Sequence, residues 1–513
     1  MYSIKSKISQ ASYLTIFSSK KSSFLAGILC GLAFAPVFFI PGILTLSILC
    51  WQIRQATNLR QAFFYSYIFG FGFFLATIYW IAIAPTLYQE FWWTIPIILI
   101  GFPLFMALFI SLVGIFSFPL KNHSYYHIIF CCFWVFYEWI LSWAFTGFPW
   151  SCLGYVIAFS DILSQIVSVF SVFGASFLLV YIGSSLYKIS DKKHYMFKVN
   201  IITSCVIIIL LFVYGSARLM NNKTGFTNIK IRIVQPSTQQ QSKWDPMFFW
   251  QNLYKLIDLS TADNDDIDII LWSEAALTVP YYHNPILKAL MTVFTKEHQV
   301  LMSGGVNDNN LEGDEYEIYS SLIALDDNGD LLIDYHKSHL VPFGEYIPLK
   351  DILPLNKFTP GAIDYVQGHR EIVTLEKFKL KIKPLICYES IFPFEVLTSN
   401  RIADVIFNVT NDAWYGISSG PYQHFYINKI RAIENGLPMV RSGNNGISAI
   451  IDPVGRIIQK LELNEVSFID GFIPKKLAQE TLFTKIRYIT FLLILSIVLI
   501  LQLLIIFIVK KSY

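Results

Sequence analysis

Three side chains of complementary chemistry close three hydrophobic, β-rich runs: Glu274 in DIDIILWSE, Lys337 in LLIDYHK and Cys387 in LKIKPLICYES. A cysteine attacks as thiolate, which needs a nearby base or a cation that favours the charged form. Glu274, at the end of a very apolar run, is partly desolvated and suits a general base. Lys337, followed by His339 and the loop Val341-Pro342-Phe343-Gly344-Glu345, suits a cation that holds thiolate and then an oxyanion. In open α/β sheets, sites form beyond the carboxyl ends of the strands, where all three residues fall. Each has a plainer reading when taken alone. A free cysteine packs as a small hydrophobe, and a strand-end glutamate or lysine is commonly just solvated.

The elements around these residues divide the chain. Across 513 residues, 54% hydrophobic and only 15% charged content is an integral membrane composition, and a dispersed formal charge of +3 argues against nucleic acid. The apolar run from Ser23 to Trp51, broken at Pro36 and Pro41-Gly42, reads as two short spans. Ala33-Phe34-Ala35 looks like a signal-peptidase site, but Pro36 follows it, so the first span is expected to be retained. Further runs cover Ala62 to Ala84, Trp93 to Leu120, Tyr126 to Ala144, Leu163 to Tyr187, Val199 to Tyr214 and Tyr488 to Val509. The expectation is therefore an eight-helix integral membrane protein. Residues 1–215 form a seven-span membrane domain, 216–487 an extracytoplasmic α/β domain, and 488–513 a final helix with a tail.

With a cytoplasmic N-terminus, the loops bearing Arg54 and Arg60, Lys121, and Lys188, Lys192, Lys193 and Lys198 fall inside, as the positive-inside rule requires. Both termini are then cytoplasmic and residues 216–487 face outward, which in a bacterium is the periplasm. Cys387 is the one cysteine in that segment. Cys30, Cys50, Cys131, Cys132, Cys152 and Cys205 lie in or beside apolar runs, so no disulfide framework is suggested. An unpaired thiol in an oxidising compartment is a liability unless its reactivity is used.

Within 216–487, short β-rich runs alternate with polar, helix-compatible stretches and Gly/Asn/Asp turns. Strands are predicted in IKIRIVQP, DIDIILWSE, QVLMSGGVND, SSLIALDDNGDLLIDYHK, LKIKPLICYE, ADVIFNVTND, PMVRSGNNGISAIIDPVG and VSFIDGFI. The segment Tyr346 to Gly368, rich in Pro and Leu, is long for a plain connection and reads as a membrane-facing lid, with a packed loop as the alternative. Glu138, inside an apolar run, is a functional candidate because an intramembrane charge is costly, unless the interface hydrates it. The histidines are scattered and no clustered ligand spacing indicates a metal. Neither metal nor cofactor is expected.

The order Glu274, Lys337, Cys387, spaced by 63 and 50 residues, resembles the nitrilase or carbon-nitrogen hydrolase superfamily. LWSEAALTVP, YHKSHLVPFGEYIP, ICYES, NVTNDAWYG, PYQHF, RSGNNGISAIIDPVG, WDP at Trp244 to Pro246 and TGFPWSCLGY at Thr146 to Tyr155 go further. They resemble the bacterial apolipoprotein N-acyltransferase family over nearly the whole chain. That resemblance implies an αββα nitrilase-like domain with Glu274 as general base, Lys337 as oxyanion stabiliser and Cys387 as acylated nucleophile. Glu345, Glu389 and Tyr388 would support them.

It also implies a phospholipid acyl donor, a diacylated apolipoprotein acceptor and a bacterial inner-membrane location, in a chain expected to be monomeric. Trp244, Phe343, Trp414, Tyr415 and His424 are candidate substrate contacts, although such aromatics more often form core. The same triad also serves a membrane-anchored amidase or nitrilase. Ser273 stands where the family usually has proline, which leaves the strand end less rigid. Pro236-Ser237 replaces Gly-Asn, and Leu141 replaces a common arginine that would pair with Glu138.

Overall fold

The computed structural model describes residues 19–511 except 192–194, 263–265, 283, 311–315, 351–356, 358–362, 398–402 and 488. Two compact units result. The first takes the chain up to Ala82, Trp92–Arg218 and the residues from Ile486; the second takes Ile83–Phe91 and Leu219–Lys485.

The first unit is helical because its sequence is apolar with no exposed backbone partner, and in hydrocarbon every N–H and C=O must be satisfied within the segment. Among the described residues, five helical stretches are long and apolar enough to cross a membrane: Leu59–Leu87, Gln89–Leu120, Val167–Ile189, Tyr195–Asn221 and Ile489–Val509. Helices Lys20–Gly31, Leu46–Gln55 and Tyr126–Leu141 match the remaining predicted runs but are shorter. Glu138 is completely buried. One of its oxygens accepts from the Trp134 indole at 2.9 Å and the Leu153 N–H at 2.8 Å. The carboxylate thus ties helix Tyr126–Leu141 to the TGFPWSCLGY loop, a contact that requires no arginine at position 141.

The second unit contains two six-stranded sheets. The first comprises β1 (Phe226–Gln235), β2 (Ile269–Leu271), β3 (Val300–Asn310), β4 (Tyr316–Leu325), β5 (Leu331–His336) and β12 (Ser467–Pro474), in the order β12-β1-β2-β3-β4-β5. The second comprises β6 (Val373–Leu375), β7 (Leu380–Ile386), β8 (Val405–Thr410), β9 (Met439–Gly443), β10 (Ala449–Ile451) and β11 (Ile457–Lys460), in the order β11-β10-β9-β8-β7-β6. Strands β1, β2 and β3 pair in parallel, as do β7, β8 and β9.

Side-chain alternation along the strands produces the layers. Ile269, Leu271, Val300 and Met302 meet Ile382, Val405, Phe407 and Val440 in an intersheet core. Ile270 and Leu301 point the other way, onto Leu253 and Leu256 of helix Phe249–Thr261 and Leu287 and Met291 of helix Pro285–Phe294. Leu385, Ile406 and Met439 likewise pack on Phe425 and Ala432 of helix Ser419–Asn435. The layering is αββα. Every predicted strand is present, and β6 and β11 are additional short edge strands.

Gly304 in β3 passes directly beneath the end of β2: a Cβ there would lie 2.6 Å from both the Glu274 Cα and the Ser273 carbonyl oxygen. Backbone on both sides leaves nothing that can swing aside. Gly304→Ala is expected to displace Glu274 and to lower the melting temperature, since overpacking of this kind costs about 1–3 kcal/mol. An unchanged melting curve would contradict this packing.

Candidate active site

The carboxyl ends of β2, β5, β7 and β8 carry Glu274, Lys337, Cys387 and Asn411. The structure brings all three predicted triad residues together. Lys337 Nζ lies 2.7 Å from Glu345 Oε1 and 3.4 Å from Glu274 Oε1, with Lys337 only 1% exposed. The Asn411 N–H donates to the other Glu274 oxygen at 2.8 Å, which fixes the rotation of the carboxylate.

Glu345 reaches Lys337 because the VPFGEY loop is a tight turn. The N–H groups of Phe343 and Glu345 donate to the carbonyls of Tyr346 and Val341, each at 2.8 Å, and the Val341 N–H donates to Glu345 Oε2 at 2.7 Å. Phe343 takes φ +61° in that turn, and Cys387 and Ala275 take +48° and +49°. Such left-handed non-glycine backbone costs on the order of 1–3 kcal/mol per residue and persists where surrounding contacts over-determine it.

Glu389 supplies those contacts at the cysteine. One of its oxygens accepts from Tyr335 Oη at 2.9 Å, the Ser338 N–H at 2.7 Å and Ser338 Oγ at 2.6 Å; the other accepts from the Ile386 N–H at 2.6 Å. Tyr388 is buried edge-to-face against Phe392 and His339, with ring centroids 5.2 and 5.6 Å away.

Beneath Cys387 lies a buried network outside the triad. His424 Nδ1 is 2.8 Å from Asp412 Oδ1, and its Nε2 is 3.0 Å from Ser390 Oγ and 3.2 Å from the Cys387 carbonyl oxygen. Arg441 Nη2 donates to Asp412 Oδ2 at 2.7 Å, with both side chains fully buried. His424, expected among the substrate contacts, is therefore wholly enclosed and steadies the backbone of the nucleophile. Trp244, Trp414 and Tyr415 are half-buried and Phe343 is exposed. Tyr88, of the Ile83–Phe91 segment, lies with its ring 6.4 Å from that of Trp414. Of the expected lid, residues 351–356 and 358–362 lie outside the described residues.

The electrostatics favour a resting neutral thiol. Burial pushes the Cys387 thiol well above its ordinary range, the charge of Glu274 adds to this, and Lys337 opposes it. Burial works to lower the Lys337 ammonium, but Glu345, Glu274 and the thiol together hold it above the usual lysine range. Burial likewise raises Glu345 against the pull of Lys337. Burial would raise Asp412, yet Arg441 and His424 bring it below the usual carboxylate range; His424 itself is lowered by burial and by the Arg441 charge. A thiol that does not ionise by itself must pass its proton to a base during attack, and Glu274 is placed for that.

Sequence reasoning missed Asp412 and Arg441 as site residues, although both sit in motifs noted above. It also missed Lys243, whose Nζ donates to the Glu274 carbonyl oxygen at 2.9 Å. The strand end at Ser273 is not loose: the Trp272 N–H bonds the Met302 carbonyl at 2.8 Å, and the Leu277 N–H bonds that of Gly304 at 3.2 Å.

Fold and site together define a carbon-nitrogen hydrolase domain with a cysteine nucleophile. Residues 230–481 match the family described as Carbon-nitrogen hydrolase, and residues 26–185 the one described as Apolipoprotein N-acyltransferase N-terminal domain. The Apolipoprotein N-acyltransferase of Rickettsia bellii (strain RML369-C) is 50% identical over 480 residues, spanning 93% of this chain and 96% of its own. That of Rickettsia prowazekii (strain Madrid E) is 49% identical over 484 residues, spanning 94% and 97%. That of Brucella melitensis biotype 1 is 32% identical over 479 residues, spanning 88% and 89%. The chain belongs to the apolipoprotein N-acyltransferase family.

Removing one member of a fully buried ion pair strands the other charge. Asp412→Ala is expected to lower stability by about 3–5 kcal/mol, read as a reduced melting temperature of the detergent-solubilised protein. An unchanged melting curve would show that the Asp412–Arg441 pair contributes nothing.

Proposed function

We propose that this membrane enzyme transfers a fatty-acyl chain from a phospholipid to the α-amine of the diacylglyceryl-cysteine at a lipoprotein N-terminus, through a thioester on Cys387. The observation that carries the reading is the convergence of Glu274, Lys337 and Cys387 in a family member with several apolar helices.

In the first step Glu274 takes the thiol proton as sulfur attacks the ester carbonyl. Lys337 meets the oxyanion, a donor of the kind worth roughly 3 kcal/mol at a transition state. The intermediate then collapses, the C–O bond breaks, and the leaving lysophospholipid oxygen recovers the proton from Glu274. In the second step the amine attacks the thioester carbonyl and Glu274 takes its proton. The C–S bond breaks, and the thiolate of Cys387 is reprotonated by Glu274. Glu345 holds Lys337 in place, Glu389 fixes the strand ends, and Tyr388 shields the thiol. Trp244, Phe343, Trp414 and Tyr415 border the acyl chain.

The remaining organisation follows the charge pattern of the loops. In this reading the chain crosses the bacterial inner membrane eight times, its catalytic unit faces outward, both termini are cytoplasmic and it acts as a monomer. Helices before and after the catalytic unit in sequence keep the site with two membrane-anchored substrates, so that their encounter is two-dimensional.

Intact-mass analysis of the purified full chain with phospholipid tests the reading. Wild type gains the mass of one phospholipid acyl group, Cys387→Ala gains none, and Lys337→Met forms the adduct about 10²–10³-fold more slowly. Ammonia release from an amide with no acyl adduct would establish an amidase instead. An undiminished rate in Lys337→Met would remove the oxyanion role.

A further inference from the structure

The site contains a charge imbalance. Glu345 claims Lys337 at 2.7 Å, and Glu274 shares the same ammonium at 3.4 Å, so that two carboxylates face one cation. A buried net negative charge is expensive, and the usual relief is that one carboxylate takes up a proton. For Glu274 that would remove the base. Asp412 does not change the count, because Arg441 neutralises it.

Lys243 lies on the other side of Glu274. It precedes Trp244 in QQSKWDP, is only 5% exposed, and donates from Nζ to the Glu274 main-chain carbonyl at 2.9 Å. A small cavity there, more apolar than polar in its lining, takes its polar atoms from Thr238, Lys243, Asn252, Ser273, Thr278 and Asn444 and has room for about one water. The buried Ser273 hydroxyl in that lining has no protein partner. The polar groups of this lining give a buried ammonium somewhere to direct its remaining hydrogens.

We propose that Lys243 is a positioning residue for the base: its ammonium supplies the second positive charge that keeps Glu274 ionised between half-reactions, while its hydrogen bond pins the main chain of Glu274. This rests on the acyl-transfer reading above, in which Glu274 must start each step without a proton. Burial lowers the Lys243 ammonium to about 8 and the Glu274 charge opposes this, so the lysine remains cationic at neutral pH. Lys243, Lys337, Glu345, Cys387, Tyr365 and Tyr415 each interact electrostatically with Glu274. Of these, only the two lysines bring positive charge.

The test is the pH profile of single-turnover acyl-enzyme formation, followed by intact mass on the full chain in detergent micelles containing dipalmitoyl phosphatidylethanolamine and phosphatidylglycerol. Lys243→Gln is expected to move the acid limb up by about one pH unit or more, which is about a tenfold loss on the limb, and Lys243→Met, which also removes the hydrogen bond to the Glu274 carbonyl, is expected to move the limb as far and to lower the plateau as well. Lys243→Arg should return the limb toward wild type. Loss by one constant factor at every pH would mean a merely structural role and would overturn the proposal. A wild-type limb in Lys243→Gln, which keeps a donor without the charge, would overturn it as well. The glutamine variant carries the test if the methionine variant does not fold. A wild-type protein that forms no adduct at any pH would instead refute the acyl-transfer reading itself.

Discussion

The arrangement depends on a carboxylate that takes no part in bond making. Lys337 and Cys387 leave different sheets, and nothing in the layering of two sheets obliges their ends to meet at the distance that acyl chemistry needs. Glu389 imposes that distance. It gathers donors from Tyr335 and Ser338 on one side and Ile386 on the other, and it is almost wholly buried. Charged acceptors bonded to several donors are strong and directional, so this contact sustains the left-handed backbone of the nucleophile.

Around that clamp the charges are graded. Several ionised groups in the interior have a close counterpart: Asp412 with Arg441, Glu345 with Lys337, and Glu389 with its four donors. Glu274 instead shares a lysine that Glu345 holds more closely. A carboxylate that is to accept a proton in catalysis has to be weakly held, because one in a tight ion pair is reluctant to take it. The loose 3.4 Å contact and the single N–H from Asn411 meet that requirement.

Much of this was legible in the sequence because strand-end chemistry leaves local signals. Apolar runs that stop at Glu274, Lys337 and Cys387 marked both the strands and three residues that the strand ends bring together. β6 and β11 escaped notice because strands of three and four residues are too short to show alternation. His424 stands among the candidate substrate contacts because a polar side chain among aromatics carries no mark of burial; only the folded chain shows it enclosed beside Asp412. Lys243 sits in a short polar stretch without periodicity, and its partner is a main-chain oxygen 31 positions away. Substituting Ser273 for proline suggested a slack turn. The turn is in fact held by its neighbours on β3, which local reasoning could not weigh.

The segment Ile83–Phe91 makes the catalytic unit discontinuous. The chain enters that unit at Ile83, leaves it at Phe91, and returns at Leu219. The short first visit brings Tyr88 to Trp414 and offers the Leu87 carbonyl to Gln241. Membrane and catalytic portions are therefore not two beads on a string that selection could exchange freely between proteins. A recombination crossover anywhere from residue 92 to residue 218 would pair one lineage's Ile83–Phe91 with another's Trp414 loop, so the two stretches are expected to be inherited together.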